Sequence, residues 1–148
     1  MGVTEQKIPT SWNSSSILWK KHIPGEGQSS VVEAGNKLFI TSSENSGNKR
    51  SLLCFSKDKG NLLWQKSIHY KGQESSHRMN GWCTPTPATE GDRVVAFFGP
   101  AGMYCFDMNG KEVWELKLGD FPGNWGAAAS PIIMNGIVYQ NCDSMGPS

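Results

Sequence analysis

Apolar residues recur along the chain in short runs, broken by turns rich in Gly, Asn and Asp. No segment sustains the i, i+3, i+4, i+7 apolar spacing of an amphipathic helix, so almost no helix is expected. Ser29-Ser30-Val31-Val32 precedes Gly35-Asn36 and then Lys37-Leu38-Phe39-Ile40. Thr84-Pro85-Thr86-Pro87 precedes Gly91-Asp92 and then Arg93-Val94-Val95-Ala96. Ala129-Ser130-Pro131-Ile132-Ile133 precedes Asn135-Gly136 and then Ile137-Val138-Tyr139. Each string reads as a hairpin, because Gly, Asn and Asp tolerate the positive φ of a tight turn. Two of these hairpins continue into a second one. Leu52-Leu53-Cys54-Phe55 passes through Asp58-Lys59-Gly60 to Trp64, and Met103-Tyr104-Cys105-Phe106 passes through Asn109-Gly110 to Trp114.

One full unit therefore holds four strands, at Ser29–Val32, Lys37–Ser42, Ser51–Phe55 and Leu62–Ile68. The next holds Thr84–Ala88, Arg93–Phe98, Gly102–Phe106 and Val113–Leu118, and a third begins at Ala128–Ile133 and Ile137–Asn141. Trp closes each unit: 45 residues separate Trp19 from Trp64, and 50 separate Trp64 from Trp114. Four antiparallel strands returning at that interval are the sequence mark of a β-propeller blade. A β-sandwich also uses many short strands but gives Trp no reason to return at one point of each unit. The expected fold is all-β, a propeller sector of about three four-stranded antiparallel blades in an incomplete ring. It divides into a blade end at 12–23, a blade at 29–68, a blade at 84–118 and an incomplete blade at 128–148. Trp19 would lie in the last strand of the leading unit. Such a sector leaves open edges and an apolar face, to be covered by further blades of a larger parent or by self-association.

Composition narrows the function classes. The 148 residues carry 14 basic and 13 acidic side chains, a net charge of +1 with no basic stripe, which argues against nucleic-acid binding. No apolar run approaches a membrane span, and Met1 to Ser16 is too polar for a secretory signal. Cys54, Cys83, Cys105 and Cys142 form no C-x-x-C pair and read as buried free thiols.

The strings Cys54-Phe55-Ser56-Lys57-Asp58-Lys59-Gly60-Asn61-Leu62-Leu63-Trp64 and Cys105-Phe106-Asp107-Met108-Asn109-Gly110-Lys111-Glu112-Val113-Trp114 resemble the tryptophan-docking motif of quinoprotein-like (pyrroloquinoline-quinone-type) propellers, Ala-x-Asp-x-x-Thr-Gly-Lys-x-x-Trp. Cys54 and Cys105 fall on its Ala, Asp107 on its Asp, Gly60 and Gly110 on its Gly, Lys111 on its Lys, and Trp64 and Trp114 on its Trp. Ser56, Lys59 and Asn61 depart from it, and the second copy is one residue shorter. The resemblance implies Trp64 and Trp114 packed flat between blades, and a periplasmic or extracellular location. In quinone-dependent dehydrogenases of this group it would also bring a Ca²⁺ site, a catalytic Asp and adjacent cysteines. No Cys-Cys pair or matching acid stands here, so no catalytic, cofactor or metal residue is assigned, and quinone and calcium are expected only in a full-length parent.

The stretch from His69 to Cys83 is an insertion between units and supplies a candidate surface loop with His69, His77, Arg78 and Trp82. His69 and His77 have no evident third partner for a metal. The run Phe121 to Gly126 reads as apolar packing at a blade end. The expected function is non-catalytic binding or scaffolding of a protein or carbohydrate through the blade loops, in a larger exported bacterial protein. The competing class is part of a quinone-dependent dehydrogenase. A third reading is an assembly factor like the outer-membrane lipoprotein propellers.

Overall fold

The computed structural model describes residues 9–143. Ten strands form two four-stranded sheets and one two-stranded sheet, all antiparallel between sequential neighbours. The first sheet runs β1 (Val32–Ala34), β2 (Lys37–Glu44), β3 (Lys49–Ser56), β4 (Leu62–His69). The second runs β5 (Ala88–Glu90), β6 (Arg93–Phe97), β7 (Met103–Asp107), β8 (Glu112–Leu116), and the third pairs β9 (Ile132–Met134) with β10 (Ile137–Tyr139). The only helical pieces in the described residues are 3-10 turns at Ser14–Ser16 and Gly99–Ala101.

The second sheet has a core on each face. Val94, Ala96, Tyr104 and Phe106 pack toward the first sheet, with Phe39, Leu52 and Cys54. Val95, Phe97, Met103 and Cys105 pack the other way, against Ile133 and Val138 of the third sheet. Successive strand residues point to opposite faces, so one sheet with an apolar side chain at nearly every position is covered on both sides. The sheets are therefore arrayed side by side like blades around an axis, as a propeller sector. A two-layer sandwich would leave one face of each sheet to solvent.

The inner strands β1, β5 and β9 lie next to one another, and a repeated hydrogen bond links them. The backbone N–H of Ser30 donates to Thr86 Oγ1 at 2.9 Å, and the N–H of Thr86 donates to Ser130 Oγ at 2.9 Å. Glu90 also receives the N–H groups of Asn135 and Gly136 in the next hairpin turn. The hydroxyl residues before each hairpin thus join neighbouring units.

Three expectations about where the strands lie differ from this structure. No strand forms around Trp19, because the 12–23 segment meets no partner strand among the described residues and runs as a 3-10 turn and irregular backbone. The inner strands start later than Ser29 and Thr84: the Ser29 hydroxyl bonds the Thr41 backbone of its own blade, and the N–H groups of Ser30 and Thr86 go to side chains of the next unit instead of to a ladder. His69 ends β4 and so precedes the loop to which the sequence assigned it. Residues 144–148 of the expected last unit lie outside the described residues.

Candidate functional site

The recurring Trp residues meet recurring acceptors. Trp64 sits directly across from Cys54 in the β3–β4 ladder, and Trp114 across from Cys105 in the β7–β8 ladder. Both ladders shift register at that Cys. A small Cys side chain leaves room for the large ring on the same face. Trp64 then crosses to the second sheet. Its indole N–H donates to the Met108 carbonyl at 3.0 Å, and its ring lies between Phe39 and Phe106, tilted at 50° and 48°. The expected flat packing is thus a tilted one against these two rings. Trp19 makes the equivalent bond one unit earlier, donating to the Lys57 carbonyl at 2.9 Å. Trp114 is half-buried and faces the third sheet, beside Leu118 and Val138.

Each acceptor sits in a turn that only glycine fits. Gly60 has φ +64°, and a Cβ there would fall 2.5 Å from the Trp19 ring. Gly110 has φ +82°, and its Cβ would fall 2.9 Å from the Trp64 ring. The left-handed backbone alone costs a side chain about 1–2 kcal/mol. Gly91 has φ +57° but open space around it. Gly60→Ala should therefore destabilise the chain by more than Gly91→Ala in chemical denaturation. It should also shift Trp19 fluorescence toward that of a solvated indole, whereas Gly91→Ala should leave it unchanged.

Asp107 shapes the second of these turns. Its carboxylate accepts the N–H of Asn109 at 2.8 Å and of Lys111 at 2.9 Å, while the Lys111 side chain is exposed. Ser56 takes the corresponding place in the first turn, accepting the Asn61 N–H at 3.1 Å, so the departure from the motif keeps its hydrogen bond. The Lys111 amide, then the Asn109 amide, hold the Asp107 carboxyl below its ordinary value near 3.8. A carboxylate held low in the folded chain contributes stability above its unfolded pKa and loses it as pH falls through the folded value. Asp107→Ala should therefore be less stable than the parent at neutral pH, with the gap narrowing below about pH 3.8 in denaturation series at stepped pH.

The opposite end of the sector carries the long connections between blades. Residues 70–87 join β4 to β5 and residues 117–131 join β8 to β9. Arg50, at 1% exposure, anchors the first of them. Its guanidinium donates to the carbonyls of Gly47 (2.8 Å) and Phe98 (2.6 Å), lies 5.0 Å over the Tyr70 ring, and approaches Glu74 Oε2 at 2.6 Å. The last contact is a close ion pair, although its angles fall short of a good hydrogen bond. Glu74 Oε1 faces the Ala127 N–H of the second connection at 3.4 Å. His77 packs against Trp125 with ring centroids 4.2 Å apart and the rings tilted by 41°, and Asn80 donates from Nδ2 to the Trp125 carbonyl. Trp82 is half-buried over Gly47 with its indole N–H on the Glu74 carbonyl at 3.3 Å, and Arg78 is exposed. Of the four residues assigned to this loop, His77 and Trp82 join the loop packing. Arg78 and His69 do not, and the two histidines form no metal-binding group among the described residues.

The partnered carboxylates are spent singly, and the described residues hold no cluster of three or more acidic, His or Cys side chains. Glu74 serves Arg50, Glu90 the Asn135–Gly136 turn, Asp107 its own turn, Glu33 Lys57, and Glu44 Lys49. Hard calcium needs several convergent oxygens. This donor set does not fit it. Cys54, Cys83 and Cys105 are buried and free, and burial pushes the Cys54 thiol up to about 11 and the Cys83 thiol to about 12, so neither is an effective nucleophile near neutral pH. Cys142, expected to be buried, is exposed.

The family described as outer membrane protein assembly factor BamB matches residues 6–141, nearly the whole chain. The chain belongs to this family. BamB from Moraxella catarrhalis is similar in structure, with a TM-score of 0.50 and 12% identity over 76% of this chain and 28% of that protein. A europium-containing methanol dehydrogenase is similar with a TM-score of 0.56 and 12% identity, over 77% of this chain and 20% of that enzyme. Likeness at this identity concerns the fold, which the BamB family and quinoprotein dehydrogenases share. The chain thus spans under a third of either protein's length. No curated protein matches it in sequence. Within this BamB-family chain, the motif glycines Gly60 and Gly110 face the rings of Trp19 and Trp64. Arg50 and Glu74 lie outside that motif and carried no signal in the sequence: Arg50 follows Lys49 at the polar start of β3, and Glu74 lies in the polar connection after β4.

Proposed function

We propose that this chain is a non-catalytic propeller module that binds or scaffolds a protein, within a larger exported bacterial protein, and that its contact face is the end bearing the long blade connections. The observation that supports this reading is the asymmetry of the two ends. One end carries the tight Gly60 and Gly110 turns. The other carries two long connections fixed to each other, which present Met79 at 65% exposure and Trp125 at 53%. Large exposed aromatic and Met side chains on a rigid support suit recognition of a partner surface. Membership of a family of assembly factors fits a protein partner and a periplasmic setting.

The test places a photo-crosslinking residue at Met79 or Trp125, and at Lys59 or Asn109 on the opposite end, in the full parent protein in cells. A discrete adduct from the first pair and none from the second is the expected result. Equal adducts from both ends, or none, would contradict the reading. Spectral titration with pyrroloquinoline quinone and Ca²⁺ separates the enzyme class: no saturable change is expected, and tight binding would favour a dehydrogenase.

A further inference from the structure

We infer that the cleft between the two blade connections binds a neutral oligosaccharide. The inference rests on the reading of the loop end as the contact face and adds a ligand to it. The cleft has a volume of about 550 Å³, within the range of small-molecule sites, and Gln73, Ser75, Asp120, Phe121 and Asn124 line it. A smaller hollow of about 230 Å³ shares Phe121 and Asn124 and adds Trp125.

The lining matches the chemistry of a sugar. Within the described residues, the side chains of Gln73, Ser75, Asp120 and Asn124 make no hydrogen bond to the chain itself, in contrast to neighbouring Glu74 and Asn80. A carboxylate, two amides and a hydroxyl together offer both donors and acceptors, and the planar groups can each engage two adjacent hydroxyls of a pyranose. The aromatic surfaces are held in place from behind. Phe121 meets Phe97 edge-on at 5.5 Å, and Trp125 rests on His77. The C–H face of a sugar ring is apolar and slightly positive, and stacks on the negative face of such rings.

Charge narrows the ligand further. No Lys or Arg lines either hollow. Arg50 already neutralises Glu74, so the charge left to the cleft is that of Asp120, with Asp143 beside the smaller hollow, and both disfavour phosphates, nucleotides and acidic glycans. The Arg50–Glu74 pair and the Asn80 bond to the Trp125 carbonyl fix both walls before a ligand arrives, which lowers the ordering cost of binding.

The test is calorimetric and saturation-transfer titration of the intact chain with maltotriose and N,N′,N″-triacetylchitotriose, alongside a sulfated trisaccharide and an oligolysine peptide. Saturable binding of a neutral trisaccharide, insensitive to salt, is expected. Asp120→Ala and Asn124→Ala should each weaken it by about tenfold or more. Both positions are exposed, so folding should persist, and circular dichroism checks it. Gln73→Ala provides a third variant on the other wall. Three outcomes would overturn the inference: no neutral sugar saturates, the variants bind as the parent does, or only oligolysine binds. Loss of sugar binding with loop-end crosslinks intact refutes the inference alone. Crosslinks absent from the loop end refute the broader reading.

Discussion

Glu74→Ala should destabilise the chain by about 3–5 kcal/mol, the usual cost of removing one partner from a buried ion pair. The guanidinium of Arg50 stays fully buried in that variant, because its other donors hold the Gly47 and Phe98 carbonyls on two different blades. Its positive charge then has no counter-ion in a poorly hydrated site. Glu74→Gln should cost less, since an amide oxygen can still accept at the same place. Replacing both residues with apolar ones, as in the R50M/E74L variant, should recover part of the loss by removing the stranded charge, although two carbonyls lose their donor. Urea denaturation measures the cost. Hydrogen exchange supplies a local signature: amides of residues 70–83 should lose protection before those of β3 or β7. A cost below about 1 kcal/mol would mean that solvent reaches the pair.

Trp64→Ala should cost a similar 3–5 kcal/mol, for a different reason. The indole fills the space between Phe39 of one blade and Phe106 of the next, and no other side chain can close that gap without moving a sheet. The Ala variant loses the transfer energy of the ring and leaves a cavity along the blade interface. Trp64→Phe separates packing from hydrogen bonding. It should cost about 1 kcal/mol for the lost indole donor, moderated because Lys37 Nζ also donates to the Met108 carbonyl. Trp114→Ala should cost less than Trp64→Ala, since Trp114 borders an open hollow of about 530 Å³ and lacks a hydrogen-bonded acceptor among the described residues. Equilibrium denaturation of the three variants gives the ranking. A Trp114 cost exceeding that of Trp64 would contradict it.

The interval between Trp residues carried most of the fold, because a docking ring needs the same position in every blade. It also identified Gly60 and Gly110, whose lack of a side chain the rings require. The strand around Trp19 was less legible. A β-strand exists only with a neighbour, and a string such as Ile17-Leu18-Trp19-Lys20 carries strand propensity whether or not one is present. Trp19 still reaches the Lys57 carbonyl, so its docking is separable from strand pairing. The roles of Ser30, Thr86 and Ser130 were hidden as well. They mark the start of each hairpin in the sequence, yet their bonds run between blades, and no local pattern encodes a partner 44 or 56 residues away. Arg50 and Glu74 are 24 residues apart and read as surface charges until the blades bring them together. The cleft residues Gln73, Asp120 and Asn124 were invisible for a related cause: polar loop residues look alike until two loops converge.

Trp19 and Trp64 each dock on the glycine turn of the next blade. Nuclear Overhauser contacts and ring-current shifts at the Gly60 and Gly110 α-protons test this docking most directly. Both glycines should show upfield-shifted α-protons, with cross-peaks from Gly60 to Trp19 and from Gly110 to Trp64. Ordinary shifts and no such cross-peaks, in a chain that is otherwise folded, would contradict it.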